Sequence, residues 1–474
     1  SYKIDTTMKR TKTKNLNNLV GQKVSISGWV NSKRNHGKIT FLDIRDRYGI
    51  VQVVVLPGNK FYEIAEKVTI ESVVKVIGVV VKRPDNLINN NINTGKIEVQ
   101  LENFEIISMC EKLPFELDDT KAILEETRLK YRYLDLRSKR MKKIILNRHK
   151  SNQYIRDFLS KKGYIEVETP LLTKSTPEGA RDFLVPSRNQ PGMFYALPQS
   201  PQQYKQLLQI AGIEKYFQIV RNFRDEDQRG DRQPEFTQVD LEASFVNEKY
   251  IKKLIESLII GLIKSVYPEK IITLTPFPQI TYKESIEKYQ TDRPDLRKNK
   301  LDNNELAICW IVDFPMFEKK ENGTYGPSHH PFTAIKQEFI NDFEKQDPEK
   351  VIARQYDLVI NGNEVAGGSI RTHDANVLKR VFEYLGHTKD EINDKFGHLM
   401  KAFQFGVPPH GGIAIGYDRL LMVLNNESNI REVIPFPKTG DGHDPLMDTP
   451  CFVDKKQLNE LHIATQDRKT KKWP

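Results

Sequence analysis

Residues Phe223–Glu242 read FRDEDQRGDRQPEFTQVDLE. An arginine followed by acids, a polar loop, and then an alternating strand that ends in acids fits an antiparallel pair presenting charges to a phosphorylated ligand. The same charges would also suit a solvated hairpin, so the stretch needs company. Tyr356–Arg371 reads YDLVINGNEVAGGSIR, in which Asp357 and Glu364 flank a turn at Asn361–Asn363. Two adjacent strands there could offer two carboxylates to one Mg²⁺. Gly411–Arg419 reads GGIAIGYDR, whose glycines permit close approach to a ligand and whose Arg419 opens the helix that follows.

Around these clusters the spacing predicts an α+β unit with a large antiparallel sheet. Apolar residues from Met141 to Leu159 recur at helical spacing, Gly163 stops that helix, and Tyr164–Thr169 alternates as a strand before Pro170. Further strands are expected near 194–197, 215–220, 236–245, 306–313, 356–360, 365–370 and 411–415. Helices are expected near 202–212, 249–266, 375–385, 390–405 and 418–424. Ahead of this unit five short alternating strands, near 23–31, 38–46, 50–56, 72–83 and 96–107, with a helix near 59–67, predict a Greek-key barrel of the OB type. The expected organisation is a barrel over 1–110, a polar hinge over 111–138, the α+β unit over 139–460 and a basic tail over 461–474.

With 474 residues the chain is long enough for several domains, and 73 Lys and Arg against 63 Asp and Glu give a net charge of +10, which favours a polyanionic partner. Hydrophobic residues make up 38% and charged residues 29%, as in an ordinary globular protein, and no apolar run approaches the roughly 18 residues of a membrane span. Cys110, Cys309 and Cys451 lie far apart, which excludes a zinc ribbon and argues against a disulfide framework. Ser1 to Asn15 is polar and basic, without the apolar centre of a secretory signal, so a cytoplasmic setting is expected.

In this order the pieces resemble the three signature motifs of class II aminoacyl-tRNA synthetases: the long helix with the strand ending at Pro170, then Phe223, Arg224 and the strand through Glu242, then the glycine strand with Arg419. Within that class the chain most resembles the bacterial type of aspartyl-tRNA synthetase. RLKYRYLDLR at Arg128, TPLLTKSTPEGARDFLVPSR at Thr169, FYALPQSPQQYKQLL at Phe194, WIVDFPMFE at Trp310, HHPFT at His329 and REVIPFPKT at Arg431 carry the likeness over nearly the whole chain.

The resemblance implies ligation of L-aspartate to tRNA through an aspartyl-adenylate, with ATP and Mg²⁺, by a homodimer joined through the first motif. It places Lys205 and Arg371 at the aspartate side chain, with Asp240 orienting both cations. Glu178 and Gln202, with Ser200 nearby, would meet the α-ammonium group, and His329 or His330 would close over the substrate. Arg224 would hold the α-phosphate and the α-carboxylate. Glu226 and Gln233 would meet the adenosine and Phe236 would stack on adenine. Gly416, Tyr417, Asp418 and Arg419 would complete the ATP site, and Asp357 and Glu364 would hold the metal. On the barrel, Phe41 would stack on an anticodon base and Gln52 would bond its edge, with Lys33, Arg34 and Arg45 near the RNA backbone.

Bacterial aspartyl enzymes carry a large insert after the equivalent of Thr291–Arg297, whereas here about a dozen residues separate Arg297 from Trp310. The insert is thus expected to be absent near 297–306. His36 resembles enzymes that charge asparagine tRNA as well as aspartate tRNA, whereas Asn86 after Arg83-Pro84 is less supportive, because relaxed enzymes tend to have glycine there. Two rivals remain. An asparaginyl relative shares the scaffold, but a neutral carboxamide has no use for Lys205 as a second cation. A non-catalytic RNA-binding paralogue would have no reason to keep Arg224, Glu226, Asp357, Glu364 and Arg419 together.

Overall fold

In the computed structural model, which describes residues 8–175, 180–227, 229–320 and 322–465, strands β1 (Lys23–His36), β2 (Ile39–Arg45), β3 (Ile50–Val55), β4 (Val73–Lys82) and β5 (Ile97–Ser108) close a barrel in the order β1-β2-β3-β5-β4. Helix α1 (Tyr62–Lys67) lies between β3 and β4 in sequence. Alternation drives the closure: on β2, Thr40, Leu42 and Ile44 point into a core shared with Val24, Val53, Val76 and Val99, while Phe41 and Asp43 stay on the outer face.

The chain divides into two units, 1–116 and 117–474. In the second, α2 (Lys139–Lys161) is capped by Ser138, whose side chain accepts from the Met141 backbone N–H, and the chain turns away at Gly163 with φ +80°. There follow β6 (Ile165–Glu166), α3 (Gln202–Ile210), β7 (Lys215–Phe223), β8 (Glu235–Ser244), α4 (Glu248–Val266), β9 (Gln279–Thr281), β10 (Ile308–Val312), β11 (Gln355–Ile360), β12 (Asn363–Ile370), α5 (Ala375–Tyr384), α6 (Lys389–Ala402), β13 (His410–Gly416) and α7 (Tyr417–Leu424). The sheet runs β9-β10-β11-β12-β13-β8-β7-β6, antiparallel throughout its interior and parallel only where the short edge strands β9 and β6 join it. Along β8, Val239, Leu241 and Ala243 enter the apolar core against α2, α4 and α7, which leaves Gln238, Asp240 and Glu242 on the opposite face. That alternation puts carboxylates where a ligand can meet them.

One sequence expectation changes. Much of the expected hinge, 111–138, belongs to the second unit: it is helical over Glu125–Lys130 and Arg132–Asp135. Arg128 pairs with both oxygens of Glu432 (2.8 and 3.0 Å), and Arg132 donates to the carbonyls of Arg431, Ile434 and Pro435. Its polarity, which suggests a linker, serves buried ion pairs instead. The short connection after Arg297 is tied at its base: Glu305 accepts from the backbone N–H groups of Lys298 and Asn299, both at 2.9 Å, and Lys270 Nζ donates to the Asn303 carbonyl at 2.6 Å. Leu301 at its tip is 91% exposed. Of the expected basic tail, residues 466–474 lie outside the described residues.

Candidate active site and RNA-binding face

Lys205, Asp240 and Arg371 line a cleft of about 370 Å³ in the second unit, and Glu242 pairs with both cations from outside its lining. Arg371, from the end of β12, donates from Nε and Nη2 to Glu242 Oε1 and Oε2 at 2.9 and 3.1 Å. Lys205, from α3, stands 2.6 Å from Asp240 Oδ1 and 3.3 Å from Glu242 Oε2. All four are essentially buried. Sequence reasoning assigned the orientation of both cations to Asp240; in the structure Glu242 touches both and Asp240 only Lys205. The missed signal was the period of two, since Glu242 follows Asp240 on the same face of β8. Burial acts on Glu242, but the adjacent Arg371 and Lys205 outweigh it and hold its pKa low. On Asp240 burial outweighs Lys205 and moves the pKa up, and its Oδ2 meets no donor among the described residues.

Arg371 also donates from Nη1 to His330 Nε2 and to Ser369 Oγ, both at 2.7 Å. An arginine can only donate, so His330 keeps its proton on Nδ1. Loss of solvent, His329, Arg371 and Lys205 all disfavour a charged His330, which stays neutral. Gln202 donates to Gln206 Oε1 at 3.0 Å, which leaves its own oxygen without a donor among the described residues.

Ser200, Gln202, Arg224, Glu226, Gln233, Phe236, His329, Glu364, Gly416, Asp418 and Arg419 line the same cleft. The Arg224 guanidinium lies 5.1 Å from the Phe236 ring centroid. Arg419 donates to the Glu364 carbonyl at 2.6 Å and pairs with Asp231 at 3.1 Å, a partner the sequence did not single out. Glu226 pairs with Arg232 at 3.2 Å. Asp418 is held by the Thr237 N–H and Arg148 at 2.7 and 2.6 Å, so it braces the wall. Gln233 uses both ends of its amide on the Lys438 backbone, at 2.8 and 3.0 Å.

Tyr417 is a correction: it is fully buried, and its hydroxyl donates to the Arg148 carbonyl at 2.9 Å, away from the cleft. The glycines of β13 are another. A Cβ on Gly412 would run into the Glu242 carboxylate and the Leu241 carbonyl, and one on Gly411 into Ile370. These two glycines let strands and ion pairs approach, whereas Gly416 lines the cleft. Glu178 lies outside the described residues.

Asp357 and Glu364 converge over Gly367, where a Cβ would sit 3.1 Å from Asp357 Oδ1, 3.7 Å from Glu364 Oε1 and 3.7 Å from His329 Nε2. Burial pushes both carboxyls up from the ordinary range; at Asp357 the Glu364 charge adds to it, and at Glu364 burial and Asp292 outweigh Arg419. No group of three or more His, Cys, Asp and Glu side chains has metal-holding geometry among the described residues. Two converging hard oxygen donors still fit a Mg²⁺ that takes its remaining ligands from water and phosphates.

On the barrel, Phe41 is half-buried on the outer face of β2, and His36 and Asn86 are exposed. Arg34 meets Asp43 at 3.1 Å and Gln52 Oε1 at 3.3 Å, and Gln52 Nε2 donates to Glu98 Oε2 at 3.0 Å. Asp43 and Glu98, which are not among the expected residues, thus join this face beside Gln52 and Arg34. Lys33 and Arg45 depart from expectation. Lys33 donates to the Glu66 and Val68 carbonyls at the end of α1 (2.6 and 2.9 Å), where a cation suits the helix dipole. Arg45 pairs with buried Glu71 at 2.7 Å.

Comparison with known proteins agrees with this architecture. Residues 124–440 match the family of class II tRNA synthetases (D, K and N), and residues 24–107 match the OB-fold nucleic acid binding domain. The aspartate–tRNA(Asp/Asn) ligases of Rubrobacter xylanophilus and Thermotoga neapolitana are each 40% identical to the chain. The alignments cover 94% of this chain and 95% and 97% of theirs. The first runs over 570 positions, at least 96 more than this chain has residues. Among solved structures, asparaginyl-tRNA synthetase from Pyrococcus horikoshii with asparaginyl-adenylate (TM-score 0.74, 23% identity, 91% of this chain and 98% of that one) shares the fold. So does aspartyl tRNA synthetase from Entamoeba histolytica (TM-score 0.71, 22% identity, 91% and 92%).

The match over residues 124–440, on a sheet of this order, makes the chain a member of the class II tRNA synthetases. Within that class it belongs to the aspartate–tRNA ligase family.

Proposed function

We propose that this member activates L-aspartate with ATP and passes the aspartyl group to the 3′ end of tRNA, with the roles distributed over the cleft as follows. The observation that carries the reading is the pair of buried cations, Lys205 and Arg371, braced by Glu242 at one end of the cleft. Such a pair suits a carboxylate side chain and gives nothing to a carboxamide, which disfavours the asparaginyl alternative. In the first step the substrate α-carboxylate attacks the α-phosphate and pyrophosphate leaves. The chain's work here is alignment and charge neutralisation, so no general base is needed. Arg224 bridges the α-carboxylate and α-phosphate, Phe236 supports adenine, and Arg419, steadied by Asp231, meets the adenine and the γ-phosphate. Gln202 and Ser200 receive the ammonium group, together with Glu178. Asp357 and Glu364 would hold Mg²⁺, which supplies charge neutralisation on the phosphates. In the second step the tRNA 3′-hydroxyl attacks the aspartyl carbonyl and AMP leaves.

The barrel face around Phe41, Arg34, Gln52 and Asn86 reads the anticodon, and His36 at the β1–β2 turn tips the chain toward both aspartate tRNA and asparagine tRNA, the scope printed in its relatives' names. Exposed Leu146, Ile165, Leu171 and Leu172 on and after α2 support a homodimer joined through the first motif. The missing positions relative to the longer relatives are assigned to 297–306. Among the described residues no helix is long and apolar enough to cross a membrane, in keeping with a cytoplasmic enzyme.

Pyrophosphate exchange with each amino acid in turn tests the activation reading, and exchange with asparagine instead of aspartate overturns it. Aspartylation of purified aspartate and asparagine tRNA transcripts side by side tests the scope. A hundredfold preference for the aspartate tRNA overturns the relaxed reading.

A further inference from the structure

The first unit carries 18 basic against 12 acidic side chains over residues 1–116, a net of +6 in a quarter of the chain, and its cations are unevenly placed. Three of them meet on one ring. Lys12 Nζ, Lys14 Nζ and the Arg47 guanidinium lie 5.4, 4.6 and 4.8 Å from the centroid of Tyr48, and Arg47 Nη2 donates to the Tyr48 hydroxyl at 2.9 Å. Like charges at this separation repel one another, and attraction to the ring offsets only part of that.

Among the described residues none of the three forms a salt bridge. The adjacent carboxylate, Asp46, is 3% exposed and accepts from Thr13 N (2.9 Å), Thr13 Oγ1 (2.5 Å), Tyr48 N (2.7 Å) and Gly49 N (3.1 Å). Those bonds fix the β2–β3 turn and the segment before β1, so the ring and its cations stand on a braced platform. Lys12, Lys14 and Arg47 are themselves exposed. A rigid, outward cluster of cations without an anion of its own is built to receive one.

Its place on the barrel names the anion. Strand register puts Arg45 beside Trp29, Trp29 beside Val73 and Val73 beside Ser108, so the β2–β3 turn lies at the end of the barrel from which the chain leaves for the second unit. Gln52, on the proposed anticodon face, pairs with Asp43, only three to five residues before the turn, or about 10–16 Å along the strand. An RNA whose loop lies on that face continues into a duplex stem whose first phosphates fall within that reach of the turn.

Resting on the tRNA-charging reading, we propose that Lys12, Lys14 and Arg47 around Tyr48 form a phosphate clamp for the duplex stem that adjoins the anticodon loop. It adds affinity and register without reading sequence.

The test replaces the three cations together, Lys12→Gln, Lys14→Gln and Arg47→Gln, in the full chain. Binding is measured against salt for a full-length tRNA transcript and for a transcript of the acceptor arm alone, with aspartate-dependent pyrophosphate exchange as the measure of the intact second unit. The expected result is roughly tenfold weaker binding of the full-length transcript at 0.15 M salt and a salt slope smaller by about two to three. Acceptor-arm binding and exchange stay unchanged. A single Lys14→Glu variant, which leaves Asp46 and its bonds in place, shifts binding in the same direction. Unchanged full-length affinity and slope overturn the clamp, and so does an equal loss for both transcripts. A parent chain that exchanges pyrophosphate with aspartate but does not bind tRNA overturns the RNA reading itself, and the clamp with it.

Discussion

Arg371 and Glu242 face each other through two parallel hydrogen bonds, Nε to Oε1 and Nη2 to Oε2, with both side chains at 1% exposure or less. A fork held in this way fixes the direction of Nη1, which donates to His330 Nε2 and Ser369 Oγ. Glu242→Gln keeps the shape and removes the charge that Arg371 and Lys205 share. The expected outcome is a loss of about 3–5 kcal/mol in unfolding free energy and at least a tenfold higher KM for aspartate, read by urea denaturation and pyrophosphate exchange. Wild-type KM in this variant would remove Glu242 from the specificity apparatus.

Lys205→Met leaves the substrate carboxylate and Asp240 short of a cation in a dry pocket. The cost of roughly 2–5 kcal/mol corresponds to a fall of about 30- to 4,000-fold in kcat/KM for aspartate. Activation within a few fold of the parent contradicts the pocket assignment.

Asp357 and Glu364 are held above the ordinary carboxyl range by burial, with the Glu364 charge adding to it at Asp357. With raised pKa values the folded state binds more protons than the unfolded chain, so their contribution to stability is largest at low pH and is lost as pH rises through the raised values. Mg²⁺ must displace any such proton, and its apparent affinity rises with pH over the same interval. Asp357→Asn relieves the repulsion: the metal-free protein gains about 1–2 kcal/mol in thermal unfolding, while aspartate activation falls at least a hundredfold. A variant that loses activity and stability together contradicts this account.

Gly412→Ala drives a methyl group into the Glu242 carboxylate and the Leu241 carbonyl. Overpacking of this kind costs about 1–3 kcal/mol and disturbs the Arg371 fork, so melting temperature and aspartate KM both suffer. Gly440→Ala, with nothing within 4 Å of the added carbon, is the matched control and leaves both unchanged.

Phe41→Ala removes a half-exposed ring from the outer face of β2 without touching the barrel core. A stacking platform is worth about 1–3 kcal/mol per base, so the KM for tRNA rises at least fivefold and pyrophosphate exchange does not change. Equal loss in both assays would make Phe41 a folding residue.

Much of this arrangement was legible before any coordinates because periodicity and motif order agree. β8 alternates from Phe236 onward, α2 keeps its apolar stripe from Met141 to Leu159, and the three charged clusters stand in family order. What escaped was set by pairing across the sheet and between elements. That Glu242, not Asp240, braces both cations depends on the register of β8 against β13 and on the direction from which Arg371 arrives. The resemblance places Lys33 near the RNA backbone, whereas its ammonium closes the end of α1, a helix distant in sequence. Tyr417 sits inside a motif otherwise facing the cleft, but a helix start turns adjacent residues by about 100°, and its ring falls on the core side.

The connection tied at its base by Glu305 has a practical meaning for engineering. With the backbone N–H groups of Lys298 and Asn299 pinned to Glu305, and the Asn303 carbonyl held by Lys270, the stem of this loop is set independently of its tip at Leu301. Lengthening a loop with anchored ends adds only about 0.6 kcal/mol of closure entropy per doubling. The tip is therefore a docking port for grafts: a reporter or affinity module with neighbouring termini, spliced at Leu301, would ride on the enzyme without retuning its chemistry.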